Sequence, residues 1–175
     1  MTKQAITSLL HEKYQSFVNY INDLSNEDYL FRYQQKWTAE NQLEHMVICT
    51  KPIAKVFSMD KSIIEQNFGR TDKGSRSYEG LLYQYNSELK GGGKAPERFV
   101  PEAKSQNQKE TLTANLTSLI KDLSASINNF AEEDLDTLLL PHPLLGNITL
   151  REMLYNAIYH VEHHHQQTIQ HLKSK

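Results

Sequence analysis

The sequence predicts an all-α fold, an antiparallel four-helix bundle with a short extra helix and long connections, on three observations. Four long segments carry apolar residues near the 3.6-residue helical period. Capping signals stand where such segments begin, and no strand-like alternation of useful length interrupts them. Helices that are apolar on one side most readily bury those faces against one another.

The first long segment places Ile6, Leu9, Leu10, Phe17, Ile21 and Leu24 on one face. Ser25, followed by Asn26, Glu27 and Asp28, then opens a short helical piece with Tyr29, Phe31 and Tyr33: the hydroxyl can accept from a free amide, and the acids suit the positive helix end. Trp37 closes this connection. Thr38 caps a second long helix whose apolar positions are Leu43, Met46, Val47, Ile53, Ala54 and Phe57. Pro52 inside it lacks a backbone donor and crowds the Ile48 carbonyl, which predicts a kink.

Residues 59–77, with Gly69, Arg70, Lys73, Gly74 and Arg76, read as a long polar connection. A solvated loop is the plainer reading, and a lid offering cations to an anionic substrate the sharper one. A shorter helix follows from about Tyr78 to Leu89, ended by Gly91-Gly92-Gly93, before the stretch from Pro96 to Pro101 crosses the surface. Ser105 with Gln108 fits a capping box ahead of the cleanest stripe, Leu112, Leu116, Leu119, Ile120, Leu123, Ile127 and Phe130. Pro141, Pro143 and Gly146 break the chain again. Thr149 with Glu152 forms another capping box, Ile148 and Met153 a hydrophobic staple, and the final helix runs to about Leu172.

The 175 residues suit one domain, 1–175, with a single core. A net charge of −2 and the lack of a long Lys/Arg run argue against nucleic-acid binding. No window approaches the roughly 20 apolar residues of a membrane span, so the expected compartment is the cytoplasm. The single cysteine, Cys49, cannot form an internal disulfide or a cysteine-based zinc knuckle, which agrees with a reducing compartment. A metal site here rests on histidines and carboxylates.

Eight histidines are present, and His160, His163, His164 and His165 crowd into the last helix. At about 100° per residue, His160 and His164 lie one turn apart and can converge on one ion, a spacing that binds zinc on helices. With Leu150, Met153, Leu154, Ala157, Ile158, Val161, Ile169 and Leu172 as the buried face, His164 falls inside its arc, His160 at its border, and His163 opposite, toward solvent. His165 falls inside the arc without a histidine at helical spacing and is expected to be a hydrogen-bonded core or rim residue. Catalytic zinc sites commonly use three protein ligands, so a third must come from another helix. His45, in the middle of a core-forming helix, is the candidate, although its wheel angle lies off that helix's apolar face. His11 on the first helix, His142 in a Pro-flanked loop and His171 at a frayed end are less well placed. Cys49, one turn after His45, reads as a small buried filler, with a fourth ligand or reactive thiol as the alternative. Gln167 and Glu162 can bond a ligand's second ring nitrogen or stand on the surface. Tyr155, Tyr159 and Trp37 can line a pocket, although core packing is the commoner use of aromatics.

Trp37-Thr38, Leu43-Glu44-His45-Met46, the Ala95-Pro96 to Pro101 segment, Gly146-Asn147-Ile148-Thr149-Leu150, and Tyr159-His160 followed by His164 and Gln167 stand in a distinctive order. In this the chain resembles the DinB-like (damage-inducible, YfiT-like) family of metalloenzymes over nearly its whole length. The resemblance implies an antiparallel four-helix bundle, often dimeric, with a divalent metal, usually nickel or zinc, on one histidine of the second helix and two of the last. Those positions here are His45, His160 and His164, with His163 a rival to His164 because the histidine triple leaves the register open by one residue. Relatives of this kind include thiol S-transferases that use low-molecular-weight thiols and a thiol-dependent isomerase, and DNA binding is not implied.

The expected function is therefore a metal-dependent enzyme, of the thiol S-transferase or hydrolase type, acting on a small molecule as a homodimer. The alternative is a non-catalytic metal-binding or stress-related helical interaction module.

Overall fold

A computed structural model of the chain describes residues 1–94, 96–102 and 107–175. Among them are eight α-helices: α1 (Lys3–Asp23), α2 (Asn26–Leu30), α3 (Ala39–Phe57), α4 (Lys61–Phe68), α5 (Tyr78–Lys90), α6 (Lys109–Ile127), α7 (Glu132–Thr137) and α8 (Leu150–Leu172). A 3₁₀ turn (Glu97–Phe99) follows α5, and two short strands, β1 (Leu139–His142) and β2 (Gly146–Thr149), precede α8. The fold is thus mainly helical. No described helix is long and apolar enough to cross a membrane.

The four long helices are those the apolar periodicity indicates. α1 packs against α6 and α8, and α3 packs against the same two helices. Between them lie Ile6, Leu10 and Phe17 of α1, Leu43 and Met46 of α3, Leu116 and Leu123 of α6, and Leu154 and Val161 of α8, all fully buried. Burying such a side chain contributes about 1.5–3 kcal/mol relative to leaving it in water. The helix starts are fixed locally: Ser25 Oγ accepts from the Asp28 amide, Thr38 and Asn41 cap each other reciprocally, and so do Thr149 and Glu152. Ile148 and Met153, the expected staple, both belong to the buried core. α6 begins at Lys109, and Ser105 of its expected capping box lies outside the described residues. α3 continues through Pro52, whose ring is exposed, to Phe57.

Three expectations need correction. The connection over 59–77 is neither a solvated loop nor a lid: it holds α4, anchored by fully buried Ile64 and ended by Gly69 at φ 83°. Beyond it, Leu139 donates to the Gly69 carbonyl and Thr71 to that of Thr137. Its arginines are engaged, Arg70 with Glu65 and Asp134 and Arg76 with Glu152. Two turns of helix with three apolar residues are too short for periodicity to reveal. The segment before α8 is likewise structured: β1 and β2 pair antiparallel, with Leu140 opposite Ile148, and Gly146 at φ 69° supplies the left-handed residue of the turn. Four-residue strands leave too little alternation to read. The short second helix ends at Leu30, so Phe31 is its C-cap and Tyr33 lies beyond it.

Candidate metal centre

His160 and His164 stand one turn apart on α8, and α3 carries His45 up to them. His45 Nε2 lies 3.2 Å from His160 Nε2, which lies 2.9 Å from His164 Nε2. The potential ligand atoms of the three rings all fall within 4.8 Å of one another. His45 is 3% exposed although its wheel angle lies off the apolar face of α3. The reason is that α3 also buries a polar side, bearing Asn41, Gln42 and His45.

The second nitrogens of two rings are held from outside. His45 Nδ1 donates to the Phe99 carbonyl at 2.7 Å, and His164 Nδ1 donates to Gln42 Oε1 in a short bond. A neutral imidazole carries one proton, so both rings present an Nε2 lone pair to the centre. His160 Nε2 can donate to one of them and not to both. A cation among the three nitrogens removes that conflict. Zinc–nitrogen bonds of about 2.0–2.1 Å in tetrahedral geometry separate donors by about 3.3–3.4 Å, close to the spacings found here, so the donor set fits a divalent ion of the zinc type. Burial, with the neighbouring rings adding to it, pushes His160 and His164 well below the ordinary imidazole range, and burial also lowers His45. All three rings are therefore neutral at neutral pH, which is the form that ligates.

The remaining histidines separate. His163 does not face solvent as the wheel indicates: it is half-buried, stacks on Tyr159, and its Nε2 lies 2.9 Å from Gln167 Nε2. Gln167 in turn accepts from Gln42 Nε2, so an amide chain links His163 to His164. Gln167 thus bonds the neighbour of the expected ligands, and Glu162 pairs with Lys13 instead. His165 lies against Phe17 and Tyr20, and among the described residues its Nε2 has no hydrogen-bond partner, contrary to the expectation of a bonded core histidine. His11 is exposed.

The three rings form one wall of a cavity of about 450 Å³, whose other walls are largely apolar, among them Trp37, Ile53, Phe68 and Leu140. The Trp37 ring lies 4.9 Å from that of His45 and nearly parallel to that of His164. Of the expected aromatics, Tyr155 is instead buried against Tyr78, and Tyr159 donates to Asn86 Oδ1. Cys49 lines the cavity with Sγ 3.6 and 3.7 Å from the His45 ring nitrogens, and burial pushes its thiol up to about 12. Three participants escaped sequence reasoning, Gln42, the Phe99 carbonyl and Asn156, while His142, set aside there as a ligand, lines the cavity. Gln42, one turn before His45, and Asn156, one turn before His160, had spacings that mark them.

The arrangement can hold a divalent ion at the edge of a mainly apolar cavity. The sequence profile of the DinB superfamily matches residues 9–168, which include all three histidines. Comparison with curated proteins returns no significant match.

Proposed function

Since the chain belongs to the DinB superfamily, we propose that it is a metal-dependent enzyme of the thiol S-transferase or hydrolase type, its ion held by His45, His160 and His164. The observation that carries this reading is the convergence of three neutral imidazoles, His45 and His164 buried and His160 half-buried, on one point in the wall of a cavity. Nickel and zinc both suit imidazole donors. An ion on three protein ligands keeps a position for water or substrate and lowers the pKa of what binds there, which supplies a nucleophile at neutral pH.

The chain's own residues do the rest. Gln42 and the Phe99 carbonyl fix the tautomers of His164 and His45. Trp37 and the other apolar walls lower the dielectric beside the centre, so charges there interact more strongly than in solution. The resemblance described above favours a low-molecular-weight thiol as the small-molecule substrate. The same reading takes the chain as one domain built on an antiparallel four-helix bundle, acting in the cytoplasm as a homodimer, without a nucleic-acid partner.

A non-catalytic metal-binding module is the second reading, favoured by the nearness of Cys49 to His45, which can complete a closed four-ligand site. The raised thiol weighs against it. Metal analysis of the purified protein separates these cases. The enzyme reading expects a stoichiometric ion that is lost in His160→Ala and retained in Cys49→Ser. A metal-free protein whose metal content does not respond to His160→Ala overturns both.

A further inference from the structure

At the side of the same cavity, His142 at the end of β1 makes an arrangement that the metal centre does not use. Its Nδ1 accepts from the backbone amides of Leu144 and Leu145, each at 3.2 Å. The imidazole proton of the neutral ring therefore sits on Nε2, which lies 3.3 Å from Asn156 Oδ1 and donates to it. This bond fixes the Asn156 amide, because turning it over would set an NH2 group against an N–H. Asn156 is 5% exposed and lines the cavity, yet among the described residues its Nδ2 has no hydrogen-bond partner.

A buried donor without an acceptor is costly, and such groups persist where a ligand supplies what the protein does not. Asn156 precedes His160 by four residues on α8, so the two side chains share a face about 5–6 Å apart, and both line the cavity. The cationic donors at the cavity wall are Lys94 and Arg98, the latter over the Phe99 ring; Trp37, Thr50 and Tyr85 also bring N–H or O–H groups to it, and no described lining residue is a carboxylate that could compete for Asn156.

Resting on the reading of the cavity as a substrate site, we infer that Asn156 is its specificity-determining donor, with His142 as the positioning residue behind it. The ligand it selects is an apolar small molecule with an sp² acceptor oxygen, carbonyl or carboxylate, about one helical turn from the end that meets the histidines. A small rotation about the broad terminal torsion of asparagine turns Nδ2 to that oxygen while Oδ1 keeps His142.

The test uses three probes of one shape, 4-(mercaptomethyl)benzamide, 4-(mercaptomethyl)benzoate and 4-methylbenzyl thiol. Each is titrated into the full chain loaded with zinc and again after chelation. The protein is expected to bind the amide or the carboxylate about tenfold tighter than the methyl compound, and whichever is tighter identifies the source of the oxygen. In Asn156→Asp, which keeps the acceptor for His142, and in Asn156→Leu, the preference falls to near unity while metal content stays that of the parent. A preference near unity in the parent, no binding of any probe, or a preference that survives in Asn156→Asp overturns the inference. The ratio between probes is read with and without metal. A protein that holds no metal but keeps the ratio therefore refutes the metal-dependent reading and not this one.

Discussion

Gln42 on α3 accepts from His164 Nδ1 on α8 and donates through its own amide to Gln167 Oε1 at 3.3 Å. One side chain thus decides which nitrogen of a ring on another helix faces the centre. Gln42→Ala is expected to weaken metal binding about 10- to 100-fold, as loss of an outer-shell partner commonly does, and Gln42→Glu, which keeps an acceptor, to stay nearer the parent. Competition with a coloured chelator measures this, and equal affinities in all three proteins would remove the role assigned to Gln42.

Metal removal should appear in stability. An ion that binds the folded chain at about 100 times its dissociation constant adds about 2.7 kcal/mol. A chelator is therefore expected to lower the melting temperature of the parent and to leave that of His45→Ala unmoved. Equal chelator shifts in the two proteins would place the ion elsewhere.

Glu152, 3% exposed, accepts from the Arg76 side chain and backbone and from the Thr149 amide. Burial alone raises its carboxyl, but these bonds together outweigh it and hold the group below its ordinary value of 4.5. A depressed folded pKa means stability that is complete above the unfolded value and lost as pH falls through the folded one. Arg76→Ala is expected to cost about 2 kcal/mol at neutral pH by leaving a buried charge short of partners. It should also flatten the loss of stability below about pH 4.5. Urea melts of both proteins at pH 7 and pH 3.5 decide this, and parallel acid losses would contradict it.

α4 hangs on one fully buried side chain, Ile64. Ile64→Ala is expected to destabilise the protein by about 2–4 kcal/mol, and Gly69→Ala, at φ 83°, by about 1 kcal/mol. Thermal melts measure both, and a neutral Ile64→Ala would show that α4 contributes little to the core.

How much of this was legible follows from length and from partner. The long helices could be read because Leu112 to Ile127, or Ile6 to Ile21, repeat the helical period over many turns. α4, α7 and the hairpin could not, since they are too short to show a period and are held in part by contacts distant in sequence, such as Thr71, just beyond α4, with Thr137 and Glu132 of α7 with Arg151. Spacing on one helix singled out His160 and His164. It could not place His45, whose burial depends on a second, polar packing face of α3. His163 was misplaced because a wheel divides a helix into core and solvent, whereas here α8 also borders a cavity. Asn156 shares the face of His160, but helical spacing alone assigns an amide no role, and its bond to His142 and its unpartnered Nδ2 among the described residues distinguish it.

The Phe99 carbonyl that receives His45 Nδ1–H belongs to the turn whose Arg98 and Phe99 side chains line the cavity. The backbone that orients one donor ring of the centre is thus continuous with residues that shape the space beside it. A substitution that reshapes this turn to alter the cavity is therefore expected to disturb the tautomer of His45 as well.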